Sequence, residues 1–276
     1  MHTNADAEVV AGFGDEWTRF DQSALTERDL MEMFDSYFHI FPWQDLPADP
    51  VGFDAGCGSG RWAKVVAGKV GTLHCIDPSE AALEVARRNA GAHPNCHFHV
   101  AGVDSLPLED GSMDFGYSLG VLHHIPDTQA GLNACVHKLK PGAPFLVYLY
   151  YAFDNRAFWF RALWRTSELG RRTLSRMPYA LRYFCSQLIA LTVYWPLARF
   201  ARLAEKLGRP VGSYPLSYYR ARSFYVMRTD ALDRFGTRLE KRFSRKQIEQ
   251  MMREAGLTNI EFSDTQPHWC AVGVKV

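Results

Sequence analysis

Ten residues constrain this chain more than any others: Val51-Gly52-Phe53-Asp54-Ala55-Gly56-Cys57-Gly58-Ser59-Gly60. An apolar run rises to Asp54, three glycines then alternate with small residues, and Arg61-Trp62-Ala63-Lys64-Val65-Val66 reads as helix. The pattern is strand, tight turn, helix start. Alternate glycines let the backbone turn sharply and let a ligand approach the main chain with no Cβ in the way. The N–H groups at the start of the next helix favour a polar or negatively charged group there. The spacing is G-x-G-x-G, not the G-x-G-x-x-G of dinucleotide binders and not a Walker lysine loop. Asp54 directly before the turn would suit an ammonium group and repel a pyrophosphate.

The turn has a sequel. Thr72-Leu73-His74-Cys75-Ile76 reads as a second strand ending at Asp77. That acid lies roughly 20 residues past the turn, where such βαβ units place a carboxylate on ribose hydroxyls. Together, Asp54-Ala55-Gly56-Cys57-Gly58-Ser59-Gly60 and Ile76-Asp77-Pro78-Ser79 resemble motifs I and II of class I S-adenosylmethionine (SAM) dependent methyltransferases. Within that class they are most similar to the small-molecule branch with the ubiquinone/menaquinone-type enzymes.

From 51 to 150 strand and helix patterns alternate, which predicts a parallel sheet with helices on both faces. Ser79 and Asp127 or Thr128 are N-cap residues for helices after strands two and four, and Ser244 caps the helix running to Gly256. The resemblance adds the rest of the fold: an α/β, Rossmann-like seven-stranded sheet, mostly parallel with the last strand antiparallel, and a helical lid inserted after strand five. The expected organisation is a helical leader over 1–50, a SAM-binding core over 51–150 and 243–276, and a basic, aromatic-rich substrate region over 151–242.

The same resemblance assigns the cofactor. SAM would meet Asp54, Gly56, Cys57, Gly58 and Gly60 of the turn, Asp77 and Pro78 after strand two, Asp104 and Ser105 after strand three, and Leu119 after strand four. Asp104 would accept from the adenine amino group. Trp17, in a leader segment that resembles one closing over the cofactor in relatives, would cover the methionine part or simply anchor the leader. After strand four, Leu119-Gly120-Val121-Leu122-His123-His124-Ile125-Pro126-Asp127 resembles the motif IV region and faces the carboxyl ends of the strands, where ligands of such sheets bind. His124 and His123 are the catalytic candidates, because an imidazole can take a proton from a hydroxyl or amine; a structural role is the alternative. Tyr150, Tyr151, Asn155 and Arg156, at the end of strand five, are the substrate-binding candidates.

Charge sharpens the division. Residues 1–150 hold nine basic against twenty acidic residues, and 151–245 hold nineteen against six, net charges of −11 and +13. Interleaved arginines and aromatics near 214–235 suit a carboxylate- or phosphate-bearing acceptor. Leu188 to Ala198 is apolar almost all round, flanked by Arg182, Arg199 and Arg202. It is too short to span a bilayer, so it reads as a buried or interfacial helix: a lid helix packed against its partner, with peripheral membrane or lipid contact through 182–202 as the sharper alternative. Pro196 is expected to bend that helix.

The function expected is methyl transfer from SAM to an oxygen, nitrogen or carbon nucleophile of a small, anionic or lipid-linked molecule. A non-catalytic SAM-binding regulator and a nucleic-acid methyltransferase are the rivals. The second is disfavoured, because no RNA or DNA module accompanies the basic segment. His93, Cys96, His97 and His99 cluster in sequence, but Pro94 denies them a shared helical face and no metal is expected. Six cysteines without a C-x-x-C pair and a polar opening lacking a signal peptide's basic and apolar regions lead to reduced thiols and a cytoplasmic location as expectations.

Overall fold

The computed structural model describes residues 4–276; the first three residues of the polar opening lie outside it. The chain divides into two compact units, one formed by residues up to Gln22, Leu30–Ala152 and Leu239–Val276, the other by Ser23–Asp29 and Phe153–Arg238.

The first unit carries the sheet. Its strands are β1 (Val51–Ala55), β2 (Thr72–Asp77), β3 (Cys96–Val100), β4 (Phe115–Leu119), β5 (Pro144–Tyr148), β6 (Leu257–Phe262) and β7 (Ala271–Lys275). They lie in the order β3-β2-β1-β4-β5-β7-β6. β3 through β5 pair in parallel, and β7 runs antiparallel to both β5 and β6. The strand order reverses between β2-β1 and β4, which places a ligand crevice at the carboxyl ends of β1 and β4. β4 is buried at every position and β1 at four of five, as strands covered on both faces must be.

Helices α1 (Ala7–Arg19), α2 (Glu27–Phe38), α3 (Ala63–Val66), α4 (Glu80–Ala90) and α5 (Thr128–Lys138) come before the insertion. Their caps follow the residue chemistry. Asp6, Ser79 and Asp127 each accept backbone N–H groups at the start of α1, α4 and α5. α1 lies close against α4: a Cβ at Gly14 would stand 2.6 Å from Ser79 Oγ.

The apolar face of α2 seeds an aromatic cluster. Leu30, Met33, Phe34 and Phe38 are buried, and the Phe38 ring meets Phe34 at 4.3 Å, Tyr117 at 5.3 Å, Trp43 at 5.6 Å and Trp62 at 6.3 Å. The main core lies on the sheet, where Phe53, Leu122, Leu132, Leu139 and Phe145 are fully buried.

The second unit is helical: α6 (Phe158–Leu174), α7 (Tyr179–Ile189), α8 (Trp195–Lys206) and α9 (Phe224–Gly236). The helix that precedes β6, α10 (Arg245–Glu254), belongs to the first unit and starts at a capping box between Ser244 and Gln247. A π turn over Ala190–Tyr194 joins α7 to α8 without a break. The irregularity thus precedes Pro196 by a turn, where the missing proline N–H disturbs the hydrogen-bond ladder. Ala190, Tyr194 and Ala198 pack on Met227 and Ala231 of α9. Glu168 of α6 takes ion pairs from Arg171 at 2.6 Å and Arg234 at 3.3 Å, and Arg171 also donates to the Thr237 carbonyl at 2.6 Å. Burial opposes ionisation there, but the two guanidinium groups hold Glu168 below the ordinary carboxylate range.

Truncating the hub of the aromatic cluster, Phe38→Ala, should cost about 3–5 kcal/mol of stability, read as a lower urea midpoint with an unchanged slope.

Candidate functional site

The cleft is assembled at the carboxyl end of the sheet by the turn that follows β1. Gly56, Gly58 and Gly60 all have positive φ, at 83°, 51° and 71°. The amides of Gly56 and Cys57 both donate to the Ile76 carbonyl, at 2.8 and 3.0 Å, so the turn is tied to the end of β2. Gly58 N–H donates to Asp77 Oδ2 at 2.9 Å, and Ser79 N–H donates to Asp77 Oδ1 at 2.8 Å. One carboxylate thus fixes both the glycine turn and the start of α4.

Around this floor lie Gly56, Cys57, Gly58, Arg61, Asp77, Pro78, Leu119, Val121, His124 and Ile125, and α1 brings Val9, Val10, Phe13 and Trp17 over them. Trp17 lies directly on the turn: a Cβ added at Gly58 would stand 2.7 Å from Trp17 Nε1. Six of the expected turn and strand-end residues therefore line the cleft (Gly56, Cys57, Gly58, Asp77, Pro78, Leu119), together with Trp17.

Four other expected contacts lie elsewhere. Asp54 is 1% exposed beneath the turn. Gly60 packs on α4, where a Cβ would come 2.8 Å from the Ala86 backbone. Asp104 and Ser105 are exposed and do not line the cleft, whereas their neighbours Gly102 and Val103 do. Asp104 Oδ2 instead accepts the Asn4 backbone N–H at 2.8 Å. Asn4 also donates its side-chain amide to the Asp127 carbonyl and accepts the Asp127 N–H, at 2.8 and 2.7 Å. The start of the chain is thus strapped across the loops after β3 and β4.

The two histidines have different surroundings. His123 is fully buried, stacks on Tyr150 at 3.9 Å, and makes no hydrogen bond at either ring nitrogen. Burial, with His124 and Arg242 nearby, pushes its pKa well down, so it stays neutral. His124 lines the cleft, 5.0 Å from the Phe13 ring. Its Nδ1 lies 2.7 Å from the Leu239 carbonyl. A carbonyl only accepts, so Nδ1 carries the hydrogen and the neutral ring keeps its lone pair on Nε2. The segment supplying that carbonyl is pinned by Lys241 N–H to the His123 carbonyl at 3.1 Å and by Phe243 N–H to the Tyr150 carbonyl at 2.8 Å.

Of the substrate candidates, Tyr150 packs against both histidine rings and under the Arg242 guanidinium, and Tyr151 meets His268 at 5.5 Å. Neither lines the cleft. Asn155 and Arg156 belong to the second unit, where Arg156 donates to the Gly212 carbonyl at 2.6 Å.

Charge in the cleft is held under strain of burial. Burial pushes the Asp77 carboxyl up to about 6, against the pull of the Ser79 and Gly58 amides. Asp54 is raised well above its ordinary value by burial, reinforced by Asp77; the Tyr117 hydroxyl and Arg61 oppose the rise only in part. Tyr117 acts on it from nearby, yet Asp54 Oδ2 and the Tyr117 hydroxyl each lack a hydrogen bond of normal geometry. Arg61 lies 4.4 Å from the Trp62 ring centroid and 5.8 Å from that of Trp17. Cys57 is drawn down by the neighbouring Cys75 thiol, but burial and the two aspartates leave it at about 11, an inert thiol.

Among the described residues no group of three or more His, Cys, Asp or Glu side chains could hold a metal. His74 Nδ1 of β2 lies 3.0 Å from His99 Nε2 of β3.

With this geometry in place, comparison with known proteins gives the class. Residues 53–147 match the Methyltransf_11 methyltransferase domain. The chain is similar to a malonyl-[acyl-carrier protein] O-methyltransferase of Serratia marcescens, 26% identical over 50% of this chain and 51% of that protein. It is also similar to a ubiquinone biosynthesis O-methyltransferase of Thiobacillus denitrificans, 34% identical over 56% of this chain and 66% of that one. The chain therefore spans less than two thirds of the length of either relative. In fold it is like a SAM-dependent methyltransferase, possible histamine N-methyltransferase, of Thermotoga maritima, with a TM-score of 0.51 and 14% identity over 97% of this chain and 100% of that one.

Residues 53–147 of this chain accordingly form a methyltransferase domain. Its cofactor is SAM, and the site fits that molecule: a glycine cradle closed to any Cβ, a buried aspartate oxygen without a partner, and Asp77 at the wall.

The Asp77 pKa sets a pH dependence. Its folded value lies above the ordinary 3.8, so lowering the pH through about 6 protonates this carboxylate at the cleft wall. SAM affinity should fall as the pH drops from about 7 to about 5, by up to roughly tenfold per unit below the pKa. Asp77→Asn should bind more weakly and lose this component of the slope in calorimetric titrations.

Proposed function

We propose that this chain transfers a methyl group from SAM to an oxygen, nitrogen or carbon nucleophile of a small molecule that is anionic or lipid-linked. The observation that carries the reading is the meeting, in one cleft, of the Gly56–Gly58 turn, Asp77 and a histidine of defined tautomer. Bound there, SAM supplies an electrophilic methyl on a sulfonium. The chain's own residues do the remainder. Asp77 accepts from ribose hydroxyls while its bonds to Gly58 and Ser79 keep the carboxylate in place. Asp54 lies beneath the turn with its pKa raised by burial, so an ammonium end brought near would draw it toward the ionised form, and Arg61 at the wall suits the carboxylate. Trp17 and Phe13 exclude water from above.

His124 is the proposed base. With Nδ1–H held by the Leu239 carbonyl, Nε2 takes the proton that an acceptor hydroxyl or amine releases as its lone pair attacks the methyl carbon. His123, neutral and fully buried, is a positioning residue between His124 and Tyr150. The relatives' names support oxygen as the acceptor atom, since both are O-methyltransferases. The basic composition of 151–245 supports an anionic acceptor.

Two measurements test this. Calorimetry should give micromolar binding of SAM and of its demethylated product, abolished in Asp77→Ala; silence in the intact protein removes the reading. Once an acceptor is in hand, His124→Gln should lower kcat about 100-fold or more with SAM affinity unchanged. An unchanged kcat would leave His124 a wall residue.

A further inference from the structure

The helix running from α7 through the π turn into α8 turns only a narrow, small-residue stripe inward. Ser186, Ala190, Tyr194, Ala198, Ala201 and Ala204 are buried. The outer side is of the opposite character. Leu181, Phe184, Leu188, Leu191, Trp195 and Phe200 are 44–63% exposed, with Phe184 at 63% and Phe200 at 60%. Between Tyr179 and Ala201 the charged side chains, Arg182 and Arg199, are half-buried rather than exposed. The exposed side chains there with a polar group are Thr192 and Trp195; Thr192 donates its hydroxyl to the Leu188 carbonyl at 2.8 Å and so presents only its methyl. A face of this length, apolar from end to end, is far more than the scattered surface leucines of an ordinary monomer.

Charge says what covers it. Over residues 157–209 there are ten Lys and Arg against two acids, Glu168 and Glu205. Glu168 is already paired with Arg171, and exposed Arg161, Arg165, Arg176, Arg202, Lys206 and Arg209 lie on either side of the apolar stretch in sequence. No helix among the described residues is long and apolar enough to cross a membrane. An uncharged apolar face bounded by cations, on a helix that does not cross, has the composition of a helix lying in the headgroup region of an anionic bilayer. A second copy of the chain fits less well. Face-to-face pairing would bring arginine against arginine with no acidic rim to meet them.

We propose that the exposed face of α7–α8 seats this protein on an anionic phospholipid surface, with Phe184, Leu188, Leu191, Trp195 and Phe200 entering the headgroup boundary and the flanking arginines meeting lipid phosphates. No residue of the cofactor cleft takes part in this face, whose role goes beyond the methyl-transfer reading. It also gives a reason for the exposed Trp195, since indole favours the bilayer interface.

The test is flotation of the full chain with vesicles of phosphatidylcholine alone or mixed with phosphatidylglycerol, at low and high salt. The intact protein should float with the mixed vesicles and much less with phosphatidylcholine. Phe184→Asp with Leu191→Asp should weaken binding about tenfold or more; both positions are exposed, so the fold is spared. Arg176→Glu with Arg202→Glu should weaken it by a similar factor and remove most of the salt dependence. Calorimetric SAM binding and the thermal midpoint, unchanged in both variants, certify that they are folded and keep this test separate from the methyltransferase reading. No binding to either vesicle overturns the proposal, as does binding that the aspartate pair leaves intact. A concentration-dependent dimer lost in the aspartate pair, without vesicle binding, assigns the face to a second copy and overturns it equally.

Discussion

The site depends on a single buried carboxylate with two jobs. Asp77 receives one amide from the glycine turn and one from the start of α4, and so locks two loops that leave different strands into one rigid floor. Burial taxes that arrangement by raising its pKa, and the two amides offset only part of the rise. The result is a carboxylate whose charge is retained near neutrality but is easily lost below it. A ligand hydroxyl that donates to the same group would add a third donor and favour the ionised form further. Rigidity of the floor and pH sensitivity of the cleft are two expressions of one interaction.

Much of this was legible in the residues. The run ending at Asp54, the alternating glycines and the acid at the end of the next strand have few physical solutions, because positive φ at three positions in five admits little but glycine. Buried parallel strands announce themselves as apolar runs between turn residues, and helix caps such as Ser79, Asp127 and Ser244 act through their own side chains. The first two strands stand within a few residues of their expected places, and the sheet has the seven strands with the last antiparallel that the resemblance implies.

What escaped the sequence did so for identifiable reasons. The group that orients His124 is the Leu239 carbonyl, and a backbone oxygen is carried by every residue type, so no letter marks it. The Asn4 strap joins loops 100 and 123 residues away in sequence, beyond any local pattern. Asp104, expected to face the cofactor, is exposed and spends one oxygen on that strap. Arg61 reads as the first helical residue after the turn, and only the fold turns it toward the cleft beside Trp17 and Trp62. The irregular turn near Pro196 was foreseeable, but its place, over Ala190–Tyr194, was not.

The hydrogen bond from His124 to Leu239 has a consequence for how such chains can diversify. Leu239 is the first residue after the long helical excursion that begins at Phe153, so the place where the chain re-enters the core is also the place that selects a histidine tautomer. An excursion of any length or composition could be exchanged for another, provided that its return sets a carbonyl at the same point. One that came back a residue out of register would leave the core folded and the imidazole hydrogen unanchored. The splice point, rather than the excursion itself, is then the part of the insertion that chemistry constrains.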